Sequence, residues 1–331
     1  MRVALLGAGR IGVMHARLLA GLPGVELLIA DVDAARAVAV AGEVGARAMA
    51  SVEAAIDAAD ALAIASSTDT HADLVRAGLA RGIPMFCEKP LARDLAGSIA
   101  LAAEIRAAGA VLQLGFQRRF DPGYLEARRM VTSGELGTVY LARLAGHDPA
   151  PPAEAYIPTS GGLFRDFSVH DFDIIRWLLD TEVEEVYADG AVRGFPMFAT
   201  YGDVDNAVAT LRMRHGVLVA MTASRHDPRG YDVRAELFGS KDSIGVGMDA
   251  KLPLRSVEPG VPPPAETGWS GFIERFTPAY RAELVTFVDV AAGRLPSPCT
   301  AQDGVEALRI AEAASRSLAE HRPVRLDEID R

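Results

Sequence analysis

The segment RDFSVHDFDIIRWLL, residues 165–179, sets Asp166, His170 and Asp173 in a run that is otherwise largely apolar. At 100° per residue, offsets of four and seven return close to one azimuth of a helix, so the three side chains form an acid–imidazole–acid stripe. Imidazole can take up a proton near neutral pH, which is the chemistry such a stripe offers. The apolar Phe167, Ile174 and Leu178 lie largely away from it. By itself a D-x-x-x-H motif reads more readily as a solvated stripe around a satisfied histidine, so the rest of the chain must decide.

A second chemical pattern opens the chain. RVALLGAGRIGVMHARLLAGL reads as a short buried strand, the loop Gly7-Ala8-Gly9-Arg10-Ile11-Gly12, and a helix to about Leu22. Gly7 permits the tight turn, Gly9 lets the backbone approach a pyrophosphate, and Gly12 lets the helix pack close to the strand. Phosphates sit well at a helix N-terminus, where unpaired N–H groups and the dipole favour anions. A second strand, VELLIADVD, brings Asp31 to the place where an acid accepts hydrogen bonds from the adenosine ribose. A carboxylate there repels a 2′-phosphate, so NAD is expected over NADP, with Arg36 as the one nearby cation able to offset that repulsion.

These residues need a scaffold, and the pattern beyond them supplies one. A helix near 34–44 and the segment after Ser51 lead to the strand ALAIAS, a helix from His71, the strand PMFCEKP, a helix from Asp94 and the strand AVLQLGF. Strand and helix alternate, which predicts a doubly wound parallel sheet, a Rossmann domain over residues 1–118. Ligands bind such sheets at the carboxyl ends of the strands. Ser66, Ser67 and Thr68 follow one strand there, Glu88, Lys89 and Pro90 another, and Gln117, Arg118 and Arg119 a third. Pro90 stiffens the backbone just after Lys89 and aims it. From residue 119 to 331 the reading changes to an α+β domain: a helix from Pro122, then strands near 183–193, 206–213, 216–224 and 232–239, with a hairpin around His215-Gly216. Strand after strand predicts a large, mostly antiparallel, open-faced sheet, one face over the cofactor crevice and the other free to pair with another subunit. TGWSGFIERF reads as a substrate-side loop, GHDPAPPAEAYIPTSGG as an irregular connection, and residues 301–321 as an amphipathic helix packing back near the junction.

Whole-chain properties narrow the classes. Across 331 residues the formal net charge is −10, which argues against nucleic-acid or anionic-membrane partners. Cys87 and Cys299 are too few for a disulfide framework or a cysteine zinc site, and no H-E-x-x-H is present, so no metal is expected. With no signal-like leader before the first strand and no long uncharged span, a cytoplasmic protein is expected.

GAGRIG, SSTDTHADL, CEKPL, GFQRRFDP and GGLFRDFSVHDFDIIRWLL, in this order and spacing, resemble the Gfo/Idh/MocA oxidoreductase family, and especially its inositol dehydrogenase branch. GYDVRAELFGSKDS and YRAELVTFVDVAAG also look like family segments, so the resemblance spans nearly the whole chain. It implies an NAD(P)-dependent dehydrogenase acting on CH–OH, with Lys89 and His170 beside the nicotinamide, Asp166 next to them and Asp173 touching substrate. His170 would take the hydroxyl proton while hydride leaves the carbon, Lys89 would stabilise the alkoxide, and Asp166 would orient or offset that pair. Cofactor contacts would come from Gly7, Gly9, Arg10, Ile11, Gly12, Asp31, Ser66, Ser67, Thr68, His71, Glu88, Lys89 and Gln117. Arg118, His147, Asp173 and Tyr231 would join Lys89, Asp166 and His170 around a hydroxylated ring. His147 matches a substrate-contacting histidine of inositol dehydrogenase-like members, a solvent-facing loop histidine being the alternative. Three functions are open: an NAD-dependent dehydrogenase of an inositol-like polyol or a sugar, an NAD-dependent glycosidase using transient oxidation, and a non-catalytic nucleotide sensor. A homo-oligomer, dimer or tetramer, is expected.

Overall fold

The computed structural model describes residues 1–264 and 266–329. The chain forms two compact units, one of Met1–Phe120 with Pro278–Glu306, the other of Asp121–Thr277 with the residues from Ala307 onward. A single division into 1–118 and 119–331 has no place for the return of Pro278–Glu306 to the first unit.

The first unit alternates β1 (Arg2–Leu6), α1 (Arg10–Ala20), β2 (Glu26–Ala30), α2 (Ala34–Val44), β3 (Arg47–Ala48), α3 (Val52–Ala58), β4 (Ala61–Ile64), α4 (Thr68–Arg81), β5 (Met85–Glu88), α5 (Leu95–Ala107) and β6 (Leu112–Gly115). The six strands are parallel in the order β3-β2-β1-β4-β5-β6. That order reverses between β1 and β4, which opens the crevice at their carboxyl ends where doubly wound sheets take a nucleotide. Ala61–Ile64 is buried throughout because helices cover both faces, which is why this strand reads as an apolar run without alternation. Val3, Leu5, Ile29, Ala63 and Phe86 pack with Ala16 and Leu19 of α1, and the late-chain Leu284 and Phe287 complete the same core.

In the second unit α6 (Pro122–Thr132) starts at Asp121, whose carboxylate accepts the Gly123 and Tyr124 N–H groups. β7 (Val139–His147) leads through a 3-10 turn and α7 (Ile157–Ser160) to α8 (Val169–Leu179). β8 (Val183–Ala191), α9 (Met197–Thr200), β9 (Asn206–Met213), β10 (Leu218–Ser224), β11 (Asp232–Gly239) and β12 (Ser243–Val246) follow. α10 (Phe272–Ala291), α11 (Ala301–Glu320) and β13 (Val324–Arg325) follow; of the three division points between the units, the first lies between Phe120 and Asp121 and the other two fall inside α10 and α11. The sheet order is β12-β11-β7-β10-β9-β8-β13, antiparallel except where β7 and β10 run parallel. Alternation is clean: Ala209, Leu211, Val219 and Met221 are buried, while Val208, Thr210, Leu218, Ala220 and Thr222 lie on an open face.

The structure departs from three expectations. TGWSGFIERF is not one loop, because Phe272 already begins α10, and Glu274 ties its first turn by accepting the Ser270 N–H at 2.9 Å. The connection after β7 is partly helical, over Glu154–Tyr156 and Ile157–Ser160, and His147 is the last residue of the strand, not part of that connection. Most consequential, Phe164–Ser168 is a π turn. Its i→i+5 bonds hold one more residue per turn, so the regular count that stacked Asp166 over His170 does not hold there.

Candidate active site

In the first unit the three glycines have three different reasons to be glycine. Gly7 has φ +103°, and a Cβ there would stand 2.6 Å from the backbone of Ser66. A Cβ on Gly12 would overlap the Gly7 carbonyl oxygen, so the close seat of α1 on β1 depends on its absence. Around Gly9 there is open space within 4 Å, the room a ligand's phosphates require. Asp33, Ser51 and Asp94 cap the N-termini of α2, α3 and α5 with their side chains, whereas α1 begins at Gly9 with no side-chain cap. Its first N–H groups therefore remain for an anion, and the residues present fit a dinucleotide pyrophosphate. Arg10 is exposed at that end and Ile11 half-buried.

Asp31 is bound into the same cradle. One carboxylate oxygen accepts the Ala8 N–H at 2.7 Å and the other the Asp33 N–H at 2.8 Å. Arg36 reaches Asp31 at 3.7 Å and Asp33 at 3.5 Å, so its charge is already shared between two carboxylates. At the end of β4, Ser66 bonds Thr70, Ser67 is exposed and Thr68 starts α4. Buried His71 joins that turn to the lysine loop, its ring nitrogens lying 2.8 Å from the Pro90 carbonyl and 3.2 Å from that of Ser66.

Lys89 leaves β5 half-buried, and the Lys89–Pro90 peptide is cis. Beside it, Glu88 pairs with His15 of α1 at 2.6 Å, and its other oxygen lies over Gly115, where a Cβ would come within 3.1 Å of it. Glu283 is fully buried with neither carboxyl oxygen hydrogen-bonded among the described residues, and burial, then the charge of Glu88, pushes its pKa well above the ordinary 4.5. Gln117, Arg118 and Arg119 form a buried 3-10 turn after β6. Arg119 is spent on structure, bonding Asp303 at 2.9 Å and the Pro298 carbonyl at 3.0 Å.

In the second unit Gly161 and Gly162, both at positive φ, turn the chain into the helix, whose first N–H at Leu163 is accepted by Asp203 at 3.0 Å. His170 is half-buried and Asp173 nearly fully buried, three residues apart on regular α8 and so on one face. Asp166 lies on the π turn that precedes α8, one oxygen accepting from the Tyr156 hydroxyl at 2.9 Å and the other from Arg225 at 3.0 Å. Gly146 of β7 lacks the Cβ that would collide with the Phe167 ring, which lets the π turn lie against the sheet. His147 lies opposite Asp232 in the ladder and 3.4 Å from the Thr222 hydroxyl, and desolvation holds its pKa below the ordinary value despite the nearby carboxylates. Tyr231 is buried, with its N–H on the Trp269 carbonyl at 2.7 Å. Arg225, Tyr156, His15 and Glu283 escaped the sequence reading. His15 alone had a local signal, a histidine on the buried side of the helix that follows the glycines.

Residues 1–116 match the model of an oxidoreductase family with an NAD-binding Rossmann fold, and residues 124–245 match that of the GFO/IDH/MocA C-terminal domain. The chain is 39% identical to a myo-inositol dehydrogenase of Streptomyces leeuwenhoekii, over 96% of this chain and 97% of that protein. It is 36% identical to a scyllo-inositol 2-dehydrogenase (NAD(+)) of Bacillus subtilis, over 99% and 96%. Among solved structures it is similar to a myo-inositol dehydrogenase of Corynebacterium glutamicum, with a TM-score of 0.90, 37% identity and 98% of each chain covered.

Proposed function

Because the chain belongs to the Gfo/Idh/MocA family of oxidoreductases, we propose that it oxidises one secondary alcohol of an inositol-like cyclic polyol to a ketone with NAD. The observation that carries this reading is that the similarity to inositol dehydrogenases spans 99% of the chain, and so includes both the glycine cradle and the segment from Asp166 to Asp173. When bound, NAD supplies the acceptor of the hydride. The chain's own residues do the rest. His170 takes the hydroxyl proton, and Lys89 holds the oxygen as its charge develops. Asp166 balances the positive charge of these two. Asp173, Arg118, His147 and Tyr231 serve the remaining hydroxyls, and a His147 kept neutral by burial can accept as well as donate a hydrogen bond. Asp31 favours NAD over NADP because its carboxylate occupies the place of a 2′-phosphate.

Assembly into a dimer or tetramer belongs to the same reading, supported by Tyr187, Val208 and Leu218 exposed on the open sheet face. So does residence in the cytoplasm, where NAD is at hand. The test is to supply myo-inositol, scyllo-inositol and glucose with NAD or NADP and follow the absorbance of reduced nicotinamide. Release of free NADH with an inositol supports the reading. Turnover of glycosides with the cofactor retained would replace it with an NAD-dependent glycosidase.

A further inference from the structure

Arg225 follows β10, and its side chain is 3% exposed. Its Nη1 donates to Asp166 at 3.0 Å and lies 3.6 Å from Asp148, while Nε and Nη2 are buried without hydrogen-bond partners among the described residues. Buried unpaired N–H groups cost stability, and a methionine of similar length would remove that cost. What arginine supplies here and methionine cannot is a positive charge and an N–H directed at one oxygen of Asp166. The guanidinium also lies over the Phe167 ring, 5.7 Å from its centroid, and so rests on the π turn that carries Asp166. The Arg225 backbone N–H is fixed on the Asp205 carbonyl at 2.8 Å, and the Asp205 carboxylate is itself held by the N–H groups of Arg193, Gly194 and Phe195. The clamp is thus anchored at its base as well as at its tip. Tyr156 holds the opposite oxygen from a different element.

We infer that Arg225 is a positioning residue for Asp166, holding that carboxylate turned in one direction from a backbone turn that does not itself fix it. The inference rests on Asp166 taking part in the reaction as set out above. A π turn offers no regular stack of side chains to orient an acid, so the orientation comes from outside the helix. A carboxylate held on both oxygens still has a second lone pair on each for a further partner.

The test is a double-mutant cycle on the whole enzyme with an inositol and NAD. Arg225→Met should lower kcat by roughly 10- to 100-fold, the scale of misplacing a group in an active site, with KM for NAD unchanged. Arg225→Lys, which returns the charge with fewer donors, should recover part of the loss, and it serves in the cycle if the methionine variant does not fold. In an Asp166→Asn background the Arg225 substitution should have no further effect on kcat. Additive losses in the double variant would show that Arg225 acts elsewhere and overturn the inference. So would a normal kcat in Arg225→Met beside an impaired Asp166→Asn. A normal kcat in Asp166→Asn would overturn the role of Asp166 itself, and the inference with it.

Discussion

Replacing Glu283 by Gln should make the protein progressively more stable than the wild type as pH rises. Glu283 is fully buried, has no hydrogen bond to either carboxyl oxygen among the described residues, and has its pKa raised well above 4.5 by burial and by the charge of Glu88. In the unfolded chain the same acid loses its proton near pH 4.5, so between that value and its folded pKa the folded state holds one proton more. Stability therefore falls with rising pH across this window, by about 1.4 kcal/mol for each pH unit, and levels off above the folded pKa. Below pH 4 both side chains are neutral and the two proteins should melt nearly together. Within the window the gap in thermal midpoint should widen by roughly 3–6 °C per pH unit in the transition of a domain of this size. Scanning calorimetry of both proteins at pH 4, 5, 6 and 7 reads it directly. Parallel curves for the two proteins would mean that Glu283 ionises as it does in water, and would refute its description as a neutral buried acid.

Gly9→Ala should fold normally but bind NADH at least tenfold more weakly by fluorescence titration, because its Cβ enters space left for the ligand, whereas Gly12→Ala should also lose thermal stability because its Cβ overlaps the Gly7 carbonyl. Asp31→Ala should narrow the preference for NAD over NADP in the same titration, and tighter binding of NADP than NAD by the wild type would contradict the role given to Asp31. The His147 ring should titrate below pH 6.5 when followed by NMR, since desolvation outweighs the nearby Asp232 and Asp227. Its neutral form then persists below the pH at which a free histidine charges, and the folding stability tied to it is lost as pH falls through its folded pKa.

The parallel sheet and its glycine loop were legible because their determinants are local. A buried strand, a turn that requires positive φ at Gly7 and a helix that must approach at Gly12 lie within a dozen residues of one another. The antiparallel sheet was legible from alternation, which holds along β9 and β10. What escaped depends on partners distant in the chain. Asp166 takes its orientation from Arg225, 59 residues away, and nothing near Arg225 marks it as anything but a strand-end arginine. Glu283 reads as one polar position of an amphipathic helix, and only the return of Pro278–Glu306 to the first unit makes it a buried acid beside Glu88. The π turn was invisible for another reason: Phe164–Ser168 has the apolar spacing of an ordinary helix, and the wider turn shows only where Phe167 packs against Gly146.

On the proposed function, the chain moves hydride from a ring carbon of a cyclic polyol to NAD. The most direct measurement supplies an inositol deuterated at its ring carbons with NAD and examines the reduced cofactor by NMR. Free NADH should carry one deuterium at nicotinamide C4, and its formation should slow by orders of magnitude in both Lys89→Met and His170→Ala. NADH without deuterium, or unaltered rates in those two variants, would contradict the proposed function.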